Sequence, residues 1–244
     1  MDLAQLVHVG TFKDVDETIK SVYKSDRGII EMTFISNKGS SGVDVYCVPT
    51  HHYCNLGCKL CHLTAEGADK KRMVLIHTGE FLEGLSRTAF KKSPAILSGK
   101  SSELLNRYQK RSNNKKCLIS FMGVGEPLLN LDLVKGVFKQ QREIGEICDY
   151  ETFSYALATM MPNYGLGLFS EYVKKEEFPL KVHFSMHSPF TNERFDLLPK
   201  TRVSVRDAFL MLADYRAKLL SVPSIAQNLL CSMRFLIQLK FIIH

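Results

Sequence analysis

The sequence predicts an α/β fold built on an open parallel sheet. Three observations carry that prediction. β-type and helical segments alternate along most of the chain, the pattern of strands joined by crossover helices. Three stretches rich in Cys, Gly, Glu, Ser and His each follow an apolar strand, and in such sheets the chemistry gathers at the carboxyl ends of strands. The length of 244 residues and the 45% apolar content suit one large domain with a real core.

The elements follow in order. Ile29–Ile35 and Val43–Val48 are rich in β-branched and aromatic residues and read as strands, with Lys38 to Gly42 as the turn between them. They belong to a short β-containing segment, 1–46, and to the start of a core at 47–244. Residues 62–116 then separate this strand from the next, which is long for one crossover helix. Lys70, Lys71, Arg72, Lys91, Lys92, Lys110, Arg111, Lys115 and Lys116 make the insert basic. It reads either as a solvated helical excursion or as a surface for RNA. Leu118–Met122 is a strand, and Leu131–Ile147 has helical spacing through Leu133, Val137, Ile144 and Ile147. Phe153–Thr159 is a strand, Leu168–Lys174 a helix, Leu180–Met186 a strand and Val205–Leu220 a helix. Ser232–Ile243 reads as a last strand. The apolar run from Ile225 to Ile243 is broken by Gln227, Asn228, Arg234, Gln238 and Lys240, so no membrane span is expected.

Lys and Arg exceed Asp and Glu by seven, which favours an anionic partner such as nucleic acid without being diagnostic. The seven cysteines are odd in number and concentrated in one short stretch. With no signal-peptide pattern, they argue for a reducing, cytoplasmic setting and against a disulfide framework. Cys117, Cys148 and Cys231 have no partner spacing and read as structural.

Cys54, Cys58 and Cys61 stand in C-x3-C-x2-C spacing. Three thiolates so placed suit three corners of a cubane iron–sulfur cluster, with the fourth iron open to a substrate or cofactor. Structural zinc is the alternative. It asks for four ligands, usually as two separated pairs; His51, His52 and His62 are nearby, but no second pair follows.

The C-x3-C-x2-C loop, FMGVGEPLLN at Phe121 to Asn130, and FSMHSPFTNERFDLLP at Phe184 to Pro199 together resemble one family. It is the RlmN/Cfr-type adenine methyltransferases of the radical S-adenosylmethionine (SAM) superfamily. The resemblance covers roughly residues 25 to 220. It implies a partial (β/α)6 barrel, a [4Fe–4S] cluster on Cys54, Cys58 and Cys61, and SAM as cofactor. It also implies rRNA or tRNA as partner and an electron donor such as flavodoxin or ferredoxin.

The resemblance assigns residues as well. Gly125 and Glu126 match the stretch that binds the SAM amino group. A turn is the plainer reading of the glycines, since they allow close backbone approach. Ser185, Met186 and His187 match a further SAM contact; alone, the histidine reads as a satisfied strand-end residue. Thr159 or Ser154 is a candidate contact in the place where the family has a serine-rich STSG and this chain has ALATMM. Cys47, seven residues before Cys54, matches the family's non-cluster catalytic cysteine. Unaided, it reads equally as a small buried hydrophobe. That role needs a thiol partly exposed and beside a group favouring thiolate.

The family carries its methyl group on a second cysteine near its C-terminus. The segment that bears it is expected to be absent here, as are the sixth strand and most of the N-terminal RNA-binding domain. The 244-residue chain is therefore expected not to complete methyl transfer to RNA even if it binds SAM. An iron–sulfur and SAM-binding protein lacking methyl transfer, and a zinc-braced RNA-binding module, are the other functional classes left open.

Overall fold

The structure, a computed structural model, describes residues 6–36, 42–67, 70–89 and 115–226. The predicted turn at Lys38 to Ser41, residues 68–69 and 90–114 of the basic insert, Cys231 and the predicted strand Ser232–Ile243 lie outside them. The chain divides into two compact units. The first comprises Met1–His52, Val74–Gly125 and Asp132–Tyr155; the second comprises Tyr53–Met73, Glu126–Leu131 and Ala156–His244.

The first unit begins with strands β1 (Val7–Lys13), β2 (Ile19–Ser25), β3 (Gly28–Ile35) and β4 (Val43–Cys47), each antiparallel to the one before it. Short connections permit only that direction. The turn at Asp26 and Arg27 has two residues, with Ser25 opposite Gly28. At the β1–β2 turn, Asp14 accepts the Glu17 N–H at 3.1 Å. β3 shows the two-residue period of a half-buried strand: Ile30, Met32 and Phe34 point inward, while Ile29 and Ile35 stay exposed. Beyond them come β5 (His51–Tyr53), β6 (Val74–Leu75) and β7 (Lys116–Phe121). β5 and β6 form a separate two-stranded sheet.

β7 lies parallel to β4, with Cys47 opposite Ser120. Helix α1 (His62–Ala65) belongs to the second unit; α2 (Thr78–Ala89) packs on β3 within the first. There the Tyr23 hydroxyl bonds Thr88 Oγ1 at 2.9 Å, and Phe81 meets Phe121 with ring centroids 6.2 Å apart. The helix expected at Leu131–Ile147 is two helices, α3 (Leu131–Lys139) and α4 (Gln141–Cys148). Gln140 leaves helical geometry at φ −97°, ψ 15°, yet its N–H and C=O still bond Gly136 and Ile144, so the change is a local kink.

Strand β8 (Thr152–Thr159) is divided at Tyr155 and Ala156 between the units. The strand order is β1-β2-β3-β4-β7-β8-β9, with β9 at Leu180–Phe184. The direction of β8 follows from its start, where Thr152 N–H meets the carbonyl of Lys115, the residue before β7. That of β9 follows from its end, where Ser185 N–H bonds Thr159 O at 2.8 Å. Both are parallel additions, so the sheet is mixed: an antiparallel half at β1 to β4 and a parallel half from β4 onward. An α/β architecture with a largely parallel centre is what the alternation predicted.

The second unit adds α5 (Gly165–Lys175), α6 (Thr191–Leu197) and α7 (Val205–Leu220). α7 starts at Ser204, whose hydroxyl accepts the Asp207 N–H at 3.0 Å, a satisfied N-cap with an acid in the first turn. Leu166, Phe169, Val173, Phe178 and Leu180 are buried together with Tyr215, whose hydroxyl donates to Leu180 O at 2.6 Å. No helix among the described residues is long and apolar enough to cross a membrane.

Candidate functional site

Glu126 is the centre of the candidate site in the second unit. It caps a 3-10 turn at Pro127–Leu129, and Pro127 suits the first position because it has no N–H to satisfy. Its Oε1 accepts the Leu128 N–H at 3.1 Å and its Oε2 the Met160 N–H at 3.0 Å. The Thr159 side chain is also hydrogen-bonded to it. Burial pushes its pKa up to about 7, against the pull of Thr159, Met160, Leu128 and the Arg194 charge. A buried carboxylate with two oxygens already engaged still has lone pairs for a cationic ligand.

The cysteine loop runs from Cys54 to Cys61, with all three thiols half-buried. Leu56 points inward between the first two cysteines and packs with Met160 and Leu198, against which Cys54, Cys58, Leu129 and Leu197 also lie. Gly57, at φ 68°, makes the bend. Cys61 N–H bonds Cys58 O at 3.0 Å, and Cys61 then stands at the N-cap position of α1 without a side-chain capping bond. The loop is tied down by Lys59 N–H to Leu197 O at 2.9 Å and by Lys200 Nζ to Asn55 O at 2.6 Å.

Burial raises the Cys54 pKa, and the charges of Cys61 and Glu126 add to it; the Leu56 N–H and Lys200 oppose them. Burial, then Cys54, Cys61 and Glu126, push Cys58 up to about 11. The thiols and the glutamate therefore share one electrostatic environment.

Ser185, Met186 and His187 leave the end of β9 beside Thr159, through the Ser185–Thr159 bond already described. His187 turns in the left-handed region at φ 62°. Packing around its ring, then the charge of Arg194, hold its pKa below the ordinary value. Of the two candidates for the neighbouring contact, Thr159 is the one bonded to Glu126; the Ser154 hydroxyl donates to Cys117 O at 3.4 Å.

Gly125 and Cys47 fall in the first unit. Gly123 N–H bonds Val48 O at 3.0 Å, and Val124 O accepts the N–H groups of Thr50 and His51. Gly125 sits at φ 112°, and a Cβ there would come within 2.2 Å of His51 Nδ1, so glycine is required. His51 is buried and its pKa lowered to about 4 by burial and then by His52. His52 lies 3.3 Å from Glu80. Cys47 is half-buried; burial raises its thiol pKa, while the Met122 backbone and Lys20 pull it down. It is partly exposed, but burial outweighs the Met122 backbone and Lys20, so the balance favours the thiol over the thiolate.

Met160 and Arg194 were not singled out from the sequence. Arg194 sits inside the quoted FSMHSPFTNERFDLLP stretch, but a lone arginine in a helix reads as surface. Met160 follows Thr159 in a run that looks only like core. Nothing in one sequence marks Met160 as touching Glu126 and Cys58, or Arg194 as holding Met160.

Among the described residues, no three or more His, Cys, Asp or Glu side chains are set to hold a metal ion. The cysteine loop fits an iron–sulfur cluster by its donor type, its single-loop origin and its half-buried setting, not as a closed single-ion cage. Coordination replaces the thiol protons that burial otherwise retains, and Lys200 offsets negative charge at Cys54. His62 is exposed.

No protein-family model matches the chain. It is similar to proteins named "Probable dual-specificity RNA methyltransferase RlmN". The protein from Bacteroides fragilis (strain ATCC 25285) is 25% identical over 224 residues, covering 88% of this chain and 53% of the relative. That from Finegoldia magna is 26% identical over 207 residues, covering 84% of this chain and 50% of the relative. The chain therefore spans about half the length of these curated relatives. The likeness to RlmN-type proteins expected from the motifs is borne out.

Proposed function

We propose that this chain carries the core of a radical SAM enzyme acting on RNA adenine, with a [4Fe–4S] cluster on Cys54, Cys58 and Cys61. The observation that supports it most is that the cysteine loop and Glu126 lie within one compact unit and sense each other's charge. Glu126 receives the SAM ammonium group, with Thr159, Ser185, Met186 and His187 of the same unit completing the site. The cluster and SAM supply the one-electron chemistry that amino-acid side chains cannot. The protein's own part is to ionise three thiols, hold the ammonium on a carboxylate and exclude water with Leu56, Met160 and Leu198. Cys47 serves as the thiol that handles a proton at the RNA base. The reading places the protein in the cytoplasm, in a partial (β/α)6 barrel, reduced by a flavodoxin or ferredoxin and acting on rRNA or tRNA.

Anaerobic reconstitution with iron and sulfide tests this reading. The wild type should gain a brown chromophore and cleave SAM to deoxyadenosine, and replacing Cys54, Cys58 and Cys61 by alanine should abolish both. A normal cluster in the triple variant would sink the assignment. Methyladenosine in RNA treated with the purified chain separates transfer from SAM cleavage alone.

A further inference from the structure

Arg194 has no part in the function as stated so far, and its burial is complete. It stands in α6 with 0% of its surface exposed. Its Nη1 donates to Val203 O at 2.9 Å and to Thr201 Oγ1 at 3.3 Å, and its Nη2 donates to Met160 O. The Phe184 ring faces the guanidinium 5.1 Å away. Its Nε has no partner among the described residues. A guanidinium is removed from water only where its donors find acceptors, and a lysine cannot reproduce such a fork.

What Arg194 holds is the peptide between Met160 and Met161. Met161 sits at φ 52°, a region that a non-glycine residue adopts only when its surroundings fix it. Two hydroxyls help: Thr159 Oγ1 accepts the Met161 N–H at 2.9 Å, and Thr201 Oγ1 donates to Met161 O at 2.5 Å. Met160 then serves two neighbours. Its N–H reaches Glu126 Oε2 at 3.0 Å, and its sulfur lies 3.5 Å from Cys58 Sγ.

Resting on the reading of Glu126 and the cysteine loop given above, we infer that Arg194 is a positioning residue. Its grip on the Met160 carbonyl holds the Met160 amide on Glu126 and the Met160 thioether against Cys58. The carboxylate and the cysteine loop thereby keep one register.

The test uses the full chain with Arg194→Lys, and with Thr201→Val as the milder second variant. In the reduced, metal-free protein, alkylation of each cysteine by iodoacetamide is followed by peptide mass analysis. Freed from Met160, Cys58 should react roughly tenfold faster, as loss of a charge-assisted bond implies, while Cys61 keeps its rate. After reconstitution, the SAM dissociation constant should rise by about the same factor at unchanged iron content. Unchanged Cys58 reactivity in both variants overturns the inference. So does a uniform rise at Cys54, Cys58 and Cys61 with a lowered unfolding temperature, which marks a merely structural arginine. Selective Cys58 release in a protein whose wild type binds no SAM keeps the grip and removes the functional reading, so the two failures are distinguishable.

Discussion

Glu126 concentrates the residue-scale physics. Its folded pKa of about 7 lies above the ordinary 4.5 because burial penalises the anion. The stability this protonated carboxyl contributes is full below the unfolded value and is lost as pH rises through about 7. Glu126→Gln, which never ionises, should therefore melt above the wild type at pH 8, with the difference shrinking toward pH 5. A wild type that melts higher at pH 8 would contradict the raised pKa. The same variant should weaken SAM binding by about 1.5–3 kcal/mol, read by equilibrium binding to the reconstituted protein. Wild-type affinity should itself fall as pH drops and the carboxylate takes up a proton. The candidate residues whose type suggests chemistry could be named from the sequence: Cys54, Cys58, Cys61 and Glu126. Those that act through position were not. Arg194 matters through three acceptors, Val203 and Thr201 a few residues on and Met160 thirty-four residues back. No local pattern encodes such contacts.

Among the elements, strands and helices with a clean period were legible, and those shaped by neighbours were not. Val205–Leu220 and the strand beginning at Val43 were found almost to the residue, because the first has a satisfied cap and the second a bounded apolar run. β1 and β2 were missed because their apolar residues do not alternate cleanly, and pairing rather than pattern makes them strands. Glycines in two helices give a direct check on packing. Gly136 in α3 would place a Cβ 2.3 Å from Thr78 Oγ1, whereas Gly167 in α5 faces open space. Gly136→Ala should lose about 1–3 kcal/mol to overpacking, and Gly167→Ala should gain about 0.5–1 kcal/mol from helix propensity. Urea midpoints at constant slope measure both. Equal shifts in the same direction would show that the α2–α3 approach is not tight.

At the scale of the whole molecule, the excess of seven basic residues is the property that sequence alone gives most directly. If RNA is the partner, counterion release governs its affinity. The binding constant for a short single-stranded RNA should fall log-linearly with salt, with a slope of about −0.7 per phosphate contact. A flat salt response would argue against a phosphate-tracking surface. The likeness to RlmN-type proteins was legible here because three motifs recur together in order, although each relative is matched over only about half its length. The shape of the basic insert was not, since charge marks an anionic preference without specifying a shape.

Among the described residues β1 closes one end of the strand order, and Val7, Val9 and Phe12 on it are 60–63% exposed. An outer strand with apolar side chains and no lysine until its last residue is a template for another copy of itself. In colloidal terms, purified protein is expected to self-associate through this edge as concentration rises, whatever the state of the candidate site. Val9→Lys should raise the concentration at which light scattering begins and leave SAM binding untouched. An unchanged onset would clear β1 of that role, and a later one would mark the edge as the place to alter before any crystallisation of this chain.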